Sequence, residues 1–365
     1  MTNSGLNRRD LIAGAAKAAA VSTLVSVTEG AQQPGLAPVR PVAIASSNGL
    51  EAVKRAVERL TTGVLPVDAA VAGVSLVEAD PEDITVGYGG LPNEDGVVQL
   101  DAAVMDGSTM RAGAVAAIEK IKHPSQVALA VMRRTTRILL VGEGALSFAR
   151  SHGFVEENLL TERSRKIWLY WRDHLSERDD WLPDPDEVAD PDIQWFLARH
   201  GDAEARPHGT IHLSACAPDG SLGCCTTTSG LAFKVPGRVG DSPLIGCGLY
   251  CDSLVGSAGG VGHGESNIIS VGAHSVVELM RQGKTPEAAC LATIERVVAN
   301  TRVPYLLDER GRPKNKLVLF AVNKAGETGS ASTWSGSKHA LCRAGSEPVL
   351  LDCAYVFKRE PRSRQ

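Results

Sequence analysis

The sequence predicts a fold that mixes α and β structure, and three observations carry that expectation. Amphipathic helical patterns at residues 50–60 and 68–78 follow a short apolar strand at 41–46. A strong hairpin pattern runs from Thr210 to Ser229 around the turn Pro218-Asp219-Gly220. The composition is 43% hydrophobic but only 4% aromatic, with 37 glycines, which suits a core of small and β-branched side chains threaded by tight turns. The same composition excludes disordered, collagen-like and disulfide-scaffold chains. Lys plus Arg number 38 against 42 Asp plus Glu, a net charge of -4, so no overall positive field is present to hold nucleic acid.

The first elements divide the chain. Asn7-Arg8-Arg9-Asp10-Leu11 before an Ala-rich apolar run reads as a twin-arginine export signal over residues 1–31. The run is too short for a membrane span, so no membrane association is expected of the mature form. Residues 32–40 read as a linker and 41–365 as a single domain. Within it, Asp68 is expected to cap the helix at 68–78. The turn at Asn93-Glu94-Asp95-Gly96 is expected to join the Gly-rich segment 86–90 to a strand at 97–105 as a hairpin. Helical patterns follow at 114–121 and 124–134, then an apolar strand at 138–141 and a helix around 143–151.

Residues 155–207 differ in texture, with runs such as Glu162-Arg163-Ser164-Arg165-Lys166 and repeated Asp-Pro steps. They read as a surface helix and then a mobile linker. Trp168, Trp171, Trp181 and Trp195 all fall here, and their expected role is to clip this excursion onto the body. Beyond the hairpin at 210–229, residues 256–264 read as a Gly-rich loop opening a helix at 265–281. A helix at 286–299 and a hairpin beginning at 317–323 complete the chain.

Several chemistries are disfavoured. The Gly-rich stretch 256–264 has neither a Gly-Lys-Ser/Thr ending nor correctly spaced dinucleotide-binding glycines, so no nucleotide cofactor is expected. His208 and His212 are four apart and His263 is a possible third ligand, but 211–217 reads as strand, and no metal site is expected. The eight cysteines lack any Cys-x-x-Cys pair and read as small core residues, with one disulfide after export left open.

The most informative constellation is Pro207-His208-Gly209-Thr210-Ile211 after a polar segment, then Thr226-Thr227-Thr228-Ser229-Gly230, then Gly237-Arg238-Val239-Gly240-Asp241-Ser242-Pro243. With Met105-Asp106-Gly107-Ser108 and Leu140-Val141-Gly142-Glu143-Gly144-Ala145, it resembles the glycosylasparaginase (aspartylglucosaminidase) branch of the N-terminal-nucleophile hydrolases, over about residues 41–323. Related plant-type asparaginases share the pattern. The resemblance implies a four-layer αββα sandwich of α+β class, two mainly antiparallel sheets face to face between helical layers.

It also implies chemistry that the residues make sensible. A threonine hydroxyl needs a neighbouring base, and its own α-amine, with a pKa near 8, is one; an internal threonine has none. The resemblance supplies the missing step: self-cleavage at Gly209-Thr210, giving an α chain ending at 209 and a β chain of 210–365 with Thr210 as nucleophile. Thr228 is implied to hydrogen-bond that nucleophile. Arg238 and Asp241 are implied to grip the α-carboxylate and α-ammonium of an asparagine-derived small molecule; without that context they read as an ion pair across a tight turn. Gly262 is implied to donate to the oxyanion. Three departures stand out: Gly209 where the branch usually has Asp, no tryptophan in Ala45-Ser46-Ser47-Asn48, and Val261 where a threonine hydroxyl is expected beside Gly262. The implied activity is hydrolysis of N4-(β-N-acetylglucosaminyl)-L-asparagine, by a dimer of cleaved αβ units without a cofactor. The alternatives are an L-asparaginase or β-aspartyl peptidase, and an exported amino-acid-binding homologue weakened in turnover by Val261.

Overall fold

Strands buried on both faces dominate the protein. The computed structural model describes residues 39–175, 186–200 and 208–359. Two sheets form: an eight-stranded sheet in the order β12-β11-β1-β5-β6-β2-β3-β4 and a five-stranded sheet in the order β13-β10-β9-β8-β7. The first contains β1 (Val42–Ser46), β2 (Gln99–Asp106), β3 (Arg111–Glu119), β4 (Leu139–Val141), β5 (His208–Cys216), β6 (Leu222–Leu231), β11 (Lys338–Arg343) and β12 (Val349–Asp352). The second contains β7 (Leu249–Asp252), β8 (Gly256–Gly262), β9 (Leu317–Asn323), β10 (Thr328–Trp334) and β13 (Ala354–Phe357). Pairing is antiparallel except at β3–β4 and β10–β13.

Three stacked apolar clusters make the four layers. Helices α1 (Leu50–Thr61), α2 (Pro66–Glu78), α3 (Pro124–Arg134) and α4 (Gly142–Ser151) pack Ala52, Val53, Val74 and Val127 against Val104, Ile211 and Leu213 of the large sheet. Between the sheets lie Ile44, Met105, Cys224, Leu249 and Phe320. On the far side, α8 (Gly272–Arg281) and α9 (Pro286–Asn300) cover Ala258, Leu319 and Ala321 with Val276, Val277 and Ile294. Because every central strand has a packed layer on both sides, its sequence loses the alternation of a half-exposed strand. The expected αββα sandwich is the fold observed.

That loss of alternation explains where the sequence misleads. Most of the Ala-rich stretch 114–121, up to Glu119, belongs to β3 and not to a helix: seven consecutive residues of β3 are buried, so no polar face marks its period. Residues 86–98 form turns instead of one arm of a hairpin, and β2 pairs with β3 and β6. The Gly-rich stretch 256–264 is largely β8, a central strand whose missing side chains let His212 and Asn267 approach its backbone. The helix expected at 265–281 breaks at Val271, whose φ of 47° separates α7 (Gly264–Ser270) from α8. Helix α2 begins two residues before Asp68, which instead pairs with Arg133 at 2.6 Å.

The excursion at 155–207 holds the helices α5 (Glu162–Asp173) and α6 (Pro191–His200), so the linker reading is corrected over α6, while its stretches 176–185 and 201–207 lie outside the described residues. Ile167, Tyr170 and Trp171 of α5 and Ile193 and Phe196 of α6 form a separate cluster with Ile84, Leu91 and Phe233. Trp171 stacks on Phe233 with ring centroids 4.3 Å apart, and Trp168 Nε1 donates to Glu94 O at 3.1 Å. These tryptophans do clip the excursion to the body; Trp181 lies outside the described residues. All eight cysteines are buried.

Trp171→Ala removes the stacked ring that joins α5 to the segment after β6. It is expected to destabilise the protein by roughly 3–5 kcal/mol, the usual range for emptying a buried tryptophan site, measured by urea unfolding.

Candidate active site

The site begins with one strand pair. β5 and β6 run antiparallel with Ile211 opposite Thr227 and His212 opposite Thr226, and the register shifts between Gly209 and Ile211, so Thr210 sits at a bulge. Bulges re-aim side chains beside active sites. Here the Thr210 hydroxyl donates to Thr228 Oγ1 at 3.1 Å. Thr228 donates in turn to the Gly209 carbonyl at 2.6 Å and accepts from the Gly230 N–H at 2.8 Å. The two threonines, 18 residues apart in sequence, thus bracket the Gly209-Thr210 peptide. Ser46, at the end of β1, reaches the Thr210 carbonyl at 3.2 Å.

Glycine at 209 has a steric cause. A Cβ there would lie 2.6 Å from Thr85 Cβ and closer still to Thr85 Oγ1. Thr85 is itself held by Asp83, to which its hydroxyl donates at 2.6 Å and its N–H at 2.9 Å.

Thr210 and Thr228 open into a cleft of about 580 Å³ whose wall includes Arg238, Asp241, Gly262 and His263. Arg238 does not pair with Asp241. Its Nε and Nη2 both donate to Glu265 Oε1, at 3.0 and 2.7 Å. Burial opposes ionisation of Glu265, but the hydrogen bonds and charge of Arg238 outweigh it and hold the carboxyl below its usual range. Asp241 is 5% exposed and accepts from Asn267 Nδ2 at 2.6 Å. Burial pushes its carboxyl up to about 6, against the opposing pull of that hydrogen bond and of Arg238. The reading of these two residues as a surface ion pair is therefore replaced by a guanidinium held by Glu265 beside a separate, buried carboxylate.

Gly262 lines the cleft, whereas Val261 opposite Val318 packs against the apolar cluster between the sheets. Of the three histidines, the described side chains of His212 and His263 are each engaged with other residues. His212 is fully buried, its ring nitrogens 2.8 Å from Thr226 Oγ1 and 2.9 Å from Ser214 Oγ, and burial pushes its pKa down to about 3. His263 Nδ1 lies 2.7 Å from Ser266 Oγ. The side chain of His208 lies outside the described residues.

This combination of sandwich, paired threonines and Arg/Asp wall coincides with a family match over residues 39–304, to the family described as asparaginase. The chain belongs to the asparaginase family. Among its asparaginase relatives is an N(4)-(β-N-acetylglucosaminyl)-L-asparaginase of Elizabethkingia miricola, 41% identical over 83% of this chain and 81% of that protein. The protein of the same name from Rattus norvegicus is 36% identical over 65% of this chain and 71% of its own length. A probable isoaspartyl peptidase/L-asparaginase 3 of Arabidopsis thaliana is 35% identical over 70% and 77%.

Around this candidate site the structure brings residues that the motifs did not single out: Ser46, Thr85 and Glu265 beside the threonines and Arg238, and Lys234 bonded to the Ser229 carbonyl. Only Lys234 left a cue, a lone lysine between Phe233 and Val235 where an apolar residue would be ordinary. Thr85 and Glu265 come from distant segments with no spacing signal.

The elevated Asp241 pKa has a stability consequence. The folded state disfavours the ionised carboxylate, so the cost is fully present above pH 6 and disappears as pH falls from about 6 towards the ordinary value of 3.8. Asp241→Asn is expected to raise the Tm at pH 7.5 and to match wild type near pH 4. A Tm gain that does not shrink across that range rejects the elevated pKa.

Proposed function

We propose that this chain is an amidohydrolase of N4-substituted asparagine, N4-(β-N-acetylglucosaminyl)-L-asparagine in particular, working through an N-terminal threonine made by self-cleavage at Gly209-Thr210. The observation that carries the reading is the convergence of Thr210, Thr228, Arg238 and Asp241, from separate segments, on one cleft. Relatives bearing that enzyme name support it.

In self-cleavage, Thr210 Oγ attacks the Gly209 carbonyl carbon while Thr228 donates to the carbonyl oxygen. The C–N bond breaks as the proton lost from Oγ reaches the Thr210 nitrogen, leaving a Gly209 ester on Oγ and a free α-amine. Water hydrolyses the ester to a Gly209 carboxylate and restores the Thr210 hydroxyl. The new amine then serves as base when Thr210 Oγ attacks the side-chain amide carbon of the substrate. The leaving amine takes up the proton, and water hydrolyses the β-aspartyl ester to aspartate. Charge developing on the substrate oxygen is met by the Gly262 N–H. The substrate α-carboxylate takes the place of Glu265 on Arg238, and ionised Asp241 accepts from the α-ammonium.

Mass spectrometry of the purified protein is expected to show a fragment of residues 210–365 beginning with Thr210. Thr210→Ala is expected to abolish both cleavage and turnover, while Thr210→Cys retains self-cleavage because a thiol makes the same acyl shift. An intact, folded chain that hydrolyses β-aspartyl amides overturns the mechanism. A substrate panel separates the glycosylamine from asparagine and β-aspartyl peptides, the alternative favoured by the plant relative's name. Cleavage without any turnover selects the binding-protein reading.

Arg238→Lys loses the two parallel guanidinium donors and is expected to raise KM at least tenfold, an order set by charged hydrogen bonds worth ~1.5–3 kcal/mol. Unchanged KM in a kinetic assay would remove Arg238 from the clamp.

We further propose export by the twin-arginine route and assembly as a dimer of αβ units. The arginine pair Arg8-Arg9 and the apolar run behind it support export. Replacing both arginines by lysine is expected to retain the protein in the cytoplasm, and light scattering reads the assembly.

A further inference from the structure

Next to the Ser229–Gly230 peptide, at the end of the strand that carries Thr228, lies a buried lysine that the proposed mechanism leaves unused. Lys234 is 2% exposed, and its ammonium donates to Gln99 O and Ser229 O, each at 3.0 Å. Gly230 makes this possible: with φ of 80° and no Cβ, it leaves the space in which Nζ sits, 2.9 Å from where a Cβ would be.

The second carbonyl matters. Ser229 C=O and Gly230 N–H are the two ends of one peptide group. Lys234 holds the oxygen end, and the nitrogen end donates to Thr228 Oγ1 at 2.8 Å. A cation on an amide oxygen draws electron density from the nitrogen and makes its N–H a stronger donor, the cooperative effect of chained hydrogen bonds. A stronger donor at Thr228 Oγ1 makes the Thr228 O–H more acidic in turn, and that O–H is the one directed at the Gly209 carbonyl.

We infer that Lys234 is a positioning residue for the threonine chemistry, acting through the Ser229–Gly230 peptide to orient and polarise the Thr228 hydroxyl. The inference rests on the amidohydrolase reading above. It adds a residue that touches neither the substrate nor the scissile bond. Asp101, whose backbone lies opposite Thr228 in the β2–β6 register, supports the lysine's charge. Burial acts against that charge and lowers the Lys234 pKa, so the ammonium depends on these partners.

The test compares wild type with Lys234→Gln, whose amide can still donate to a carbonyl but carries no charge. Self-cleavage is followed by gel and mass spectrometry, and kcat and KM are measured on one β-aspartyl amide. In the folded variant, self-cleavage and kcat are expected to fall roughly tenfold with KM within twofold, because the lost charge acts on the transition state through Thr228 and not on substrate binding. In a Thr228→Val background the same substitution is expected to have no further effect on the slow cleavage that remains. Wild-type rates in Lys234→Gln, a change in KM alone, or equal losses in both backgrounds overturn the inference. Should Lys234→Gln not fold, Lys234→Arg is read instead: near-wild-type rates support a buried cation acting on Thr228, and a tenfold loss in the folded protein rejects it. A wild type that neither cleaves nor hydrolyses the amide removes the function reading itself, whereas an active wild type matched by Lys234→Gln removes only the role of Lys234.

Discussion

The antiparallel pairing of β5 with β6 is the constraint on which the site depends. It places Thr228 beside Thr210, and the bulge at Gly209–Ile211 turns the Thr210 hydroxyl onto it. Both strands are buried on both faces, so neither can slide: a one-residue slip would send Thr226 and Thr228 into the helical layer and bring Cys225 and Thr227 between the sheets. The buried Glu78 carboxylate adds a pin, accepting from Thr227 at 2.8 Å on the helical side, while His212 and Thr226 meet between the sheets. Register, threonine pairing and the geometry at the Gly209 carbonyl are therefore one structural fact.

The cleft wall shows how charge is kept ready without substrate. Arg238 is occupied by Glu265, a carboxylate in the place proposed for the substrate's own, and Asp241 stands behind with its pKa raised by burial. Glu265 costs little to displace because its side chain is half exposed and the exchange trades one carboxylate for another. Asp241 is different: it is buried and tied to Asn267, so it stays in place when the site fills.

How much of this was legible follows from burial. Amphipathic α1 has a polar face, and its period is plain in the sequence. β3 and β8 have none, and one read as a helix and the other as a loop because Ala and Gly carry weak strand preference until two packed layers impose it. The hairpin at 210–229 was legible through its turn, and the motif around Arg238 through its spacing. Glu265, Thr85 and Ser46 were not, since they join the site only through tertiary contacts. Val261 shows the limit in the other direction: the sequence marks a lost hydroxyl, but only the structure shows its methyls packed in the apolar layer between the sheets.

Gly209 and Lys234 both make sense only at the level of the folded site. Thr85 fills the space a side chain at 209 would need, so the residue before the nucleophile is restricted by its neighbour, and the proposed chemistry must draw its proton traffic from hydroxyls and backbone instead of a carboxylate at that position. Lys234 runs against stability in the same way. A buried ammonium loses its hydration, and Asp101, which supports it, has its carboxyl pushed up by burial and Oδ2 without a hydrogen-bond partner among the described residues. Replacing such buried charges by apolar side chains of similar volume is often neutral or stabilising. A charge kept at that expense on the Ser229–Gly230 peptide is better explained by what it does to the Thr228 hydroxyl than by what it contributes to the fold.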